Sequence, residues 1–132
     1  MKELGDCLGT PVANEGQAVV KAANELYKQY SFAHLMVTRS EKGITVVGKD
    51  GKVWNNPATA QEVFDVSGAG DTVAAAFLAA VAGKLSIRTS LQIANAAAGI
   101  VVTKVGTYPI HRHELLKLWE DWHPVRWQPI SP

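Results

Sequence analysis

The chain reads as an α/β layer. Apolar residues recur at helical spacing from Glu15 to Tyr30, and short β-branched runs then flank an Asp-Gly turn. Two later segments are apolar almost all round, as buried helices are. The resulting order is helix, strand, strand hairpin, strand, helix, helix, helix, which fits an α/β fold.

Each element has its own justification. Val19, Val20, Ala23, Leu26 and Tyr27 put one apolar stripe on the first helix. His34–Thr38 reads as a short buried strand and Ile44–Val47 as a second. Lys49-Asp50-Gly51-Lys52 closes a tight turn, and Val53-Trp54 opens the return strand. Glu62-Val63-Phe64 leads as a last strand into a glycine turn, and a helix follows from Gly70 to Ala82. Gly83 suits the C′ position of that helix. Ser86 is placed to cap the next one, which carries Leu91, Ile93, Ala94 and the run Ala96–Val102 and stops at Gly106. A final helix, His111–Trp122, shows Leu115, Leu118, Trp119 and Trp122 on one face and ends before Pro124. The all-round apolar stretches Val73–Ala82 and Ala94–Val102 should be buried on most sides. Four or five short strands are too few to cover them, so the sequence predicts part of something larger or a partner subunit.

Composition narrows the function classes. With 132 residues, 47% hydrophobic, 19% charged and a net charge of +1, the chain suits one compact domain. It lacks the basic excess of a nucleic-acid surface. No apolar run reaches the roughly 18 residues needed to cross a bilayer, and Met1-Lys2-Glu3-Leu4-Gly5-Asp6 has no apolar core of a secretory signal. Cys7 is the single cysteine, so no intrachain disulfide forms. A reducing cytoplasm is expected, with Cys7 as a small apolar filler.

The chemistry concentrates in Asp65-Val66-Ser67-Gly68-Ala69-Gly70-Asp71-Thr72. Gly68 and Gly70 let the backbone turn sharply and present bare amides. A turn of this kind feeding a helix N-terminus makes an anion site, because unpaired amides and the helix dipole both point at it. The acid Asp71 makes little sense for simple phosphate holding. It makes good sense where a hydroxyl must lose a proton while negative charge develops beside it, as in phosphoryl transfer to an alcohol. A Walker loop is excluded because Leu78 stands where Gly83-Lys84 would need a glycine, and a dinucleotide fingerprint because Val73 stands at its third glycine.

This octapeptide resembles the C-terminal signature of the PfkB/ribokinase family of carbohydrate kinases. Val37-Thr38-Arg39-Ser40-Glu41-Lys42-Gly43 resembles the strand and loop that lie along the nucleotide in that family. Ala94–Val102 with Lys104-Val105-Gly106-Thr107 resembles the helix and loop closing its adenine and monovalent-cation sites. The Thr-Arg-Ser-Glu-Lys-Gly loop, the lead-in Gln61–Val66 and the Ala-Asn-Ala-Ala-Ala-Gly run most resemble the D-glycero-β-D-manno-heptose 7-phosphate kinases of ADP-heptose and lipopolysaccharide core synthesis. The match runs over about residues 15–108, with a divergent tail from 109 to 132.

The resemblance implies the C-terminal, nucleotide-binding half of a ribokinase-like three-layer α/β/α domain, so that residues 1–132 form one partial domain. Asp71 would be the general base, and the amides of Gly68, Ala69 and Gly70 the anion hole for the γ-phosphoryl group. Asp65 would sit at a monovalent-cation site with carbonyls around Ser67 and Gly106. Thr38, Ser40 and Gly43 would touch the nucleotide, and Asn95 its base or ribose. The cofactors implied are ATP and Mg²⁺, with K⁺ as the monovalent cation, and the acceptor is a small sugar phosphate. Arg39 and Lys42 read as solvated charges. His111 and His113, two residues apart, should diverge on a helix and make no metal pair. The Trp residues of the tail read as packing anchors.

In the family the sugar-binding residues, the lid over the sugar and the acidic Mg²⁺–nucleotide motif lie in the N-terminal half, which this sequence does not show. The expected partners are therefore ATP, a sugar phosphate, and either a second copy or a complementing N-terminal half, with no nucleic acid and no membrane. A non-catalytic nucleotide-binding or subunit-interaction module, or a kinase for ribose, fructose phosphate or a nucleoside, stands as the alternative.

Overall fold

The computed structural model describes residues 1–59, 63–120 and 128–129. The chain divides into two compact units, Met1–Pro57 with Trp127–Pro132, and Ala58–Arg126.

In the first unit, helix α1 (Lys2–Leu8) precedes α2 (Gly16–Gln29). The sequence's short opening segment gave no warning of α1. Helix α2 follows the expected stripe: Val19, Ala22, Ala23 and Leu26 are buried, at the spacing that stacks side chains on one helix face. Leu4, Val19, Ala22, Leu26 and Val37 form the core, with Leu8, Val12, Phe32 and Leu35 packed around it. Cys7 is exposed rather than a filler, because the helix turns Leu4 and Leu8 inward instead.

Strands β1 (His34–Thr38), β2 (Ile44–Gly48), β3 (Val53–Asn56) and β4 (Gln128–Pro129) form one sheet in that order, every neighbouring pair antiparallel. The register pairs Thr38 with Ile44 and Val47 with Val53. All of β2 is buried, as suits a central strand. Tyr27 joins helix to sheet by donating from its hydroxyl to the Val47 carbonyl at 2.8 Å, while its ring lies 4.2 Å from that of Phe32.

The second unit contains helices α3 (Ala69–Ala82), α4 (Ile87–Val101) and α5 (Arg112–Glu120). Val63 and Phe64 do not form the expected strand. Both are exposed, and the Phe64 amide donates to the Val102 carbonyl at the end of α4 at 2.8 Å. Glu62 and Gln61 of the same lead-in lie outside the described residues. The end of α3 is a Schellman closure: Lys84 N–H bonds Val81 O at 2.9 Å and Leu85 N–H bonds Ala80 O at 3.1 Å. The left-handed residue is Lys84 (φ 62°), not Gly83. Gly83 has φ −73°, and a Cβ there would stand 3.3 Å from the Ala80 carbonyl oxygen, a tight contact.

Ser86 caps α4 as expected, its Oγ accepting from the Thr89 amide at 3.1 Å. The helix ends at Val101, before Gly106. Within the unit α4 packs on both α3 and α5 and is buried along most of its length, with Ser90, Leu91, Ala94–Ala97 and Val101 inside. Helix α3 departs from expectation. Only Val73 and Ala80 are buried, and Leu78 is 63% exposed. The expected end of the last helix at Trp122, with Pro124 and Trp127, lies outside the described residues, as does the side chain of Trp119.

Candidate active site

The sequence predicts a site from two sets of residues, and each set falls within one unit. In the second unit the glycine turn is built around Asp65. Its Oδ1 accepts from the Ser67 amide at 2.8 Å, and its Oδ2 accepts from the Gly106 amide at 3.0 Å. One carboxylate therefore ties the turn to the loop that follows α4. The Asp65 amide adds a bond to the Val102 carbonyl at 3.2 Å. These bonds are made by the charged form, so the Ser67 hydroxyl and amide, and then the Gly106 amide, hold the Asp65 carboxyl below its ordinary 3.8.

Gly68 is the N-cap of α3 at φ 76°, a left-handed conformation that L side chains rarely adopt. It also lies close to the α4–α5 loop, since a Cβ would stand 3.3 Å from Thr107 Cγ2. The Gly68 carbonyl receives the Thr72 amide at 2.9 Å and starts the helix. Asp65, Ser67, Gly68 and Gly106, four of the expected site residues, are thus brought together.

Gly70 and Asp71 follow in the first turn of α3, exposed, where backbone amides have no acceptor within a helix. A Cβ at Gly70 would meet nothing within 4 Å, so its backbone faces open space. The expected trio of amide donors needs one correction. The Ala69 amide is engaged by the Val66 carbonyl at 3.1 Å, because the turn through Gly68 folds it back on its own loop. Gly68 and Gly70 remain the candidate donors. Asn95 lies inside α4's packing at 4% exposure, its carbonyl accepting from the Thr59 hydroxyl at 3.2 Å.

In the first unit, Thr38 ends β1 and the loop 39–43 closes on itself. The Arg39 amide donates to the Gly43 carbonyl at 2.8 Å and the Gly43 amide to the Ser40 carbonyl at 2.9 Å. Ser40 adopts φ 54° and Gly43 φ 82°, ψ −133°. Thr38, Ser40 and Gly43 therefore lie on the end of β1 and the one short loop that follows it. Arg39 is not a solvated charge: it is 4% exposed. Lys42, half-buried, pairs with Glu15 at 3.0 Å.

His111 and His113 also depart from expectation. Their rings stack 5.7 Å apart, because His111 precedes α5 and does not take helical spacing. Glu114 reaches back to the His111 amide at 3.0 Å, half of a capping box, and accepts from the Tyr108 hydroxyl at 3.1 Å. Among the described residues no group of three or more His, Cys, Asp or Glu could hold a metal ion. The Val102 carbonyl, which receives the Phe64 and Asp65 amides, is the partner of the turn that the sequence did not single out.

The pfkB family of carbohydrate kinases matches residues 1–113, a span that includes both the glycine turn and the loop after β1. This chain belongs to the pfkB family. The match begins earlier than the motifs alone suggest, taking in α1. The bifunctional protein HldE of Paramagnetospirillum magneticum is 47% identical over 115 residues, which cover 87% of this chain and 23% of that protein. Arabidopsis thaliana ribokinase, solved with ribose and ATP, matches with a TM-score of 0.78 at 29% identity over 89% of this chain and 38% of its own. Escherichia coli phosphofructokinase-2, solved with potassium, has a TM-score of 0.77 at 19% identity over 92% of this chain and 38% of its own, a likeness of fold. The chain thus has the α/β fold of ribokinase-like kinases, and it spans under a quarter of the HldE relative's length.

Proposed function

We propose that this chain is the ATP-binding half of a sugar kinase, one partial domain over residues 1–132 that supplies the phosphate end of the reaction and the base. The observation that carries the reading is the glycine turn: Gly68 in the left-handed conformation, open backbone at Gly70 and an exposed carboxylate at Asp71 in the first turn of α3. Asp71 would take the proton from a sugar hydroxyl as the new O–P bond forms and the bond from the γ-phosphorus to its bridging oxygen breaks. Charge in a loose transition state collects on the phosphoryl oxygens, where the Gly68 and Gly70 amides and the helix dipole can meet it. Thr38, Ser40 and Gly43 would hold the nucleotide, with Asn95 shaping the base side from within α4.

Carbonyls around Ser67 and Gly106, beside the Asp65 carboxylate, would hold a hard monovalent cation such as K⁺, and bound K⁺ would supply positive charge beside the turn. Mg²⁺ would be carried on the nucleotide's own phosphates, as is usual for that ion. The preferred acceptor is heptose 7-phosphate, on the route to ADP-heptose and lipopolysaccharide core, with the reaction in the cytoplasm. The support is the similarity to HldE and the heptose-kinase character of the loop and turn motifs. No helix among the described residues is long and apolar enough to cross a membrane.

A second reading is favoured by one observation. The exposed face of α3, with Leu78 at 63% exposure, could serve a subunit-interaction module that binds no nucleotide. Under the kinase reading the same face would receive the complementing half of the domain, where the sugar site would lie. Calorimetric titration with ATP–Mg²⁺, run beside light scattering, separates the two, since absence of nucleotide binding in every assembly state sinks the kinase reading. In any assembly that turns over, Asp71→Asn is expected to lower the transfer rate by about 10²–10⁴ with ATP affinity kept. An unchanged rate would remove Asp71 from the mechanism.

A further inference from the structure

Arg39 is buried at 4% exposure, yet every acceptor it meets is uncharged. Its Nε donates to Asn14 Oδ1 at 2.9 Å, its Nη2 to the Asn14 carbonyl at 3.2 Å and its Nη1 to Thr45 Oγ1 at 3.0 Å. Among the described residues no carboxylate pairs with it. Burying a guanidinium without a counter-charge is costly, and the cost falls only if its donors are well met.

The bonds around it run in both directions. Asn14 Nδ2 donates back to the Arg39 carbonyl at 3.1 Å, so Asn14 holds both the side chain and the backbone of the same residue. Lys42 Nζ reaches the Asn14 carbonyl at 2.6 Å and Glu15 at 3.0 Å. Thr45 passes the chain of bonds on to Asn55 Oδ1 at 3.0 Å, in β3. The segment before α2 and two strands of the sheet therefore grip one five-residue loop, 39–43. That loop holds a non-glycine residue, Ser40, at φ 54°. Backbone of this kind persists only where its surroundings over-determine it.

We propose that Asn14 and Arg39 are positioning residues that hold loop 39–43 in its nucleotide-binding shape. The proposal rests on the reading above that Ser40 and Gly43 face the nucleotide. It adds a device outside the loop that sets the loop's conformation. Each of the three Arg39 nitrogens donates inside the clamp.

The test uses the full chain with Asn14→Ala, Asn14→Asp and the near-isosteric Thr45→Val. Two measurements are made, amide hydrogen exchange and calorimetric titration with ATP–Mg²⁺. Asn14→Ala should speed exchange at Arg39, Lys42 and Gly43 by about 10- to 100-fold, the scale of losing hydrogen bonds to a charged group. Exchange in α3 and α4 should stay unchanged, and ATP affinity should weaken by a similar factor. Thr45→Val should do the same to a smaller degree. Asn14→Asp keeps an acceptor for Nε but loses the donor to the Arg39 carbonyl, so it should restore only part of the protection.

Unchanged exchange at 39–43 in both Asn14→Ala and Thr45→Val overturns the proposal whether or not nucleotide binds. Faster exchange with ATP affinity unaltered also overturns it, because the clamp would then order the loop without serving binding. If the unaltered chain binds no ATP, the kinase reading fails, and the exchange arm still decides whether the clamp orders the loop.

Discussion

Helices α2 and α3 have the same length, fourteen residues, and opposite characters. Helix α2 is amphipathic, and it buries Val19, Ala22, Ala23 and Leu26 while leaving its charged side in water. Helix α3 is apolar nearly all round, and it buries only Val73 and Ala80. The amphipathic helix matches its apolar stripe to the surface available. The apolar helix carries more nonpolar surface than is covered, and Val63, Phe64 and Val66 on the approach to the glycine turn are exposed as well. Where exposed nonpolar surface is contiguous it marks interaction sites. The element that bears the candidate base is thus the one whose sequence asks for further packing.

The sharpest way to break the comparison is a pair of truncations read by chemical denaturation. Leu26→Ala, on the buried face of α2, should cost about 2–5 kcal/mol. Leu78→Ala on α3 should stay within about 0.5 kcal/mol. Equal costs would mean that α3 is as well packed as α2, and the contrast would fall.

A smaller effect separates the two glycines of the turn. Gly68→Ala forces a side chain into the left-handed region, at a cost of about 1–2 kcal/mol, and crowds Thr107. Gly70→Ala has open space and a helical backbone, so it should stabilise the fold by about 0.4–1 kcal/mol. The same change should weaken ATP–Mg²⁺ binding, because the methyl group occupies the approach to the amides. A Gly70→Ala variant with full nucleotide affinity would show that the phosphate does not come close at that position.

The mildest effect is on pH dependence. Hydrogen bonds to the charged carboxylate hold the Asp65 pKa in the folded chain below its ordinary 3.8. Its contribution to stability is therefore fully present above that value and is lost as pH falls through the lower folded value. Thermal melts of the unaltered chain and Asp65→Asn should differ by a constant amount at neutral and mildly acidic pH and converge under strong acid. A difference that grows toward alkaline pH would contradict the clamp between Ser67 and Gly106.

Much of the candidate site was legible in the sequence because its signals are local. The glycine pair and the acid three residues into the helix both act within a few residues. The grouping of Thr38, Ser40 and Gly43 is likewise the property of one short loop. What sequence reasoning misjudged was set by distant partners. Arg39 looks like any surface arginine until Asn14, twenty-five positions away, is seen to hold it. His111 and His113 were expected to diverge on a helix, but the helix starts after His111. The Ala69 amide was counted as a free donor, and the carbonyl of Val66 engages it.

By itself the sequence determined helices α2 to α5 and strands β1 to β3, the α/β class, the pfkB motifs and the placement of Asp71 on the first turn of an apolar helix. Periodicity, capping and turn chemistry depend on residues a few positions apart, and those relations survive in a linear text. Tertiary structure alone decided which charge is buried, which amides of the glycine turn remain open and which residues of α3 are covered. Burial and hydrogen-bond satisfaction depend on residues that meet only after the chain has folded, and no local pattern records those meetings.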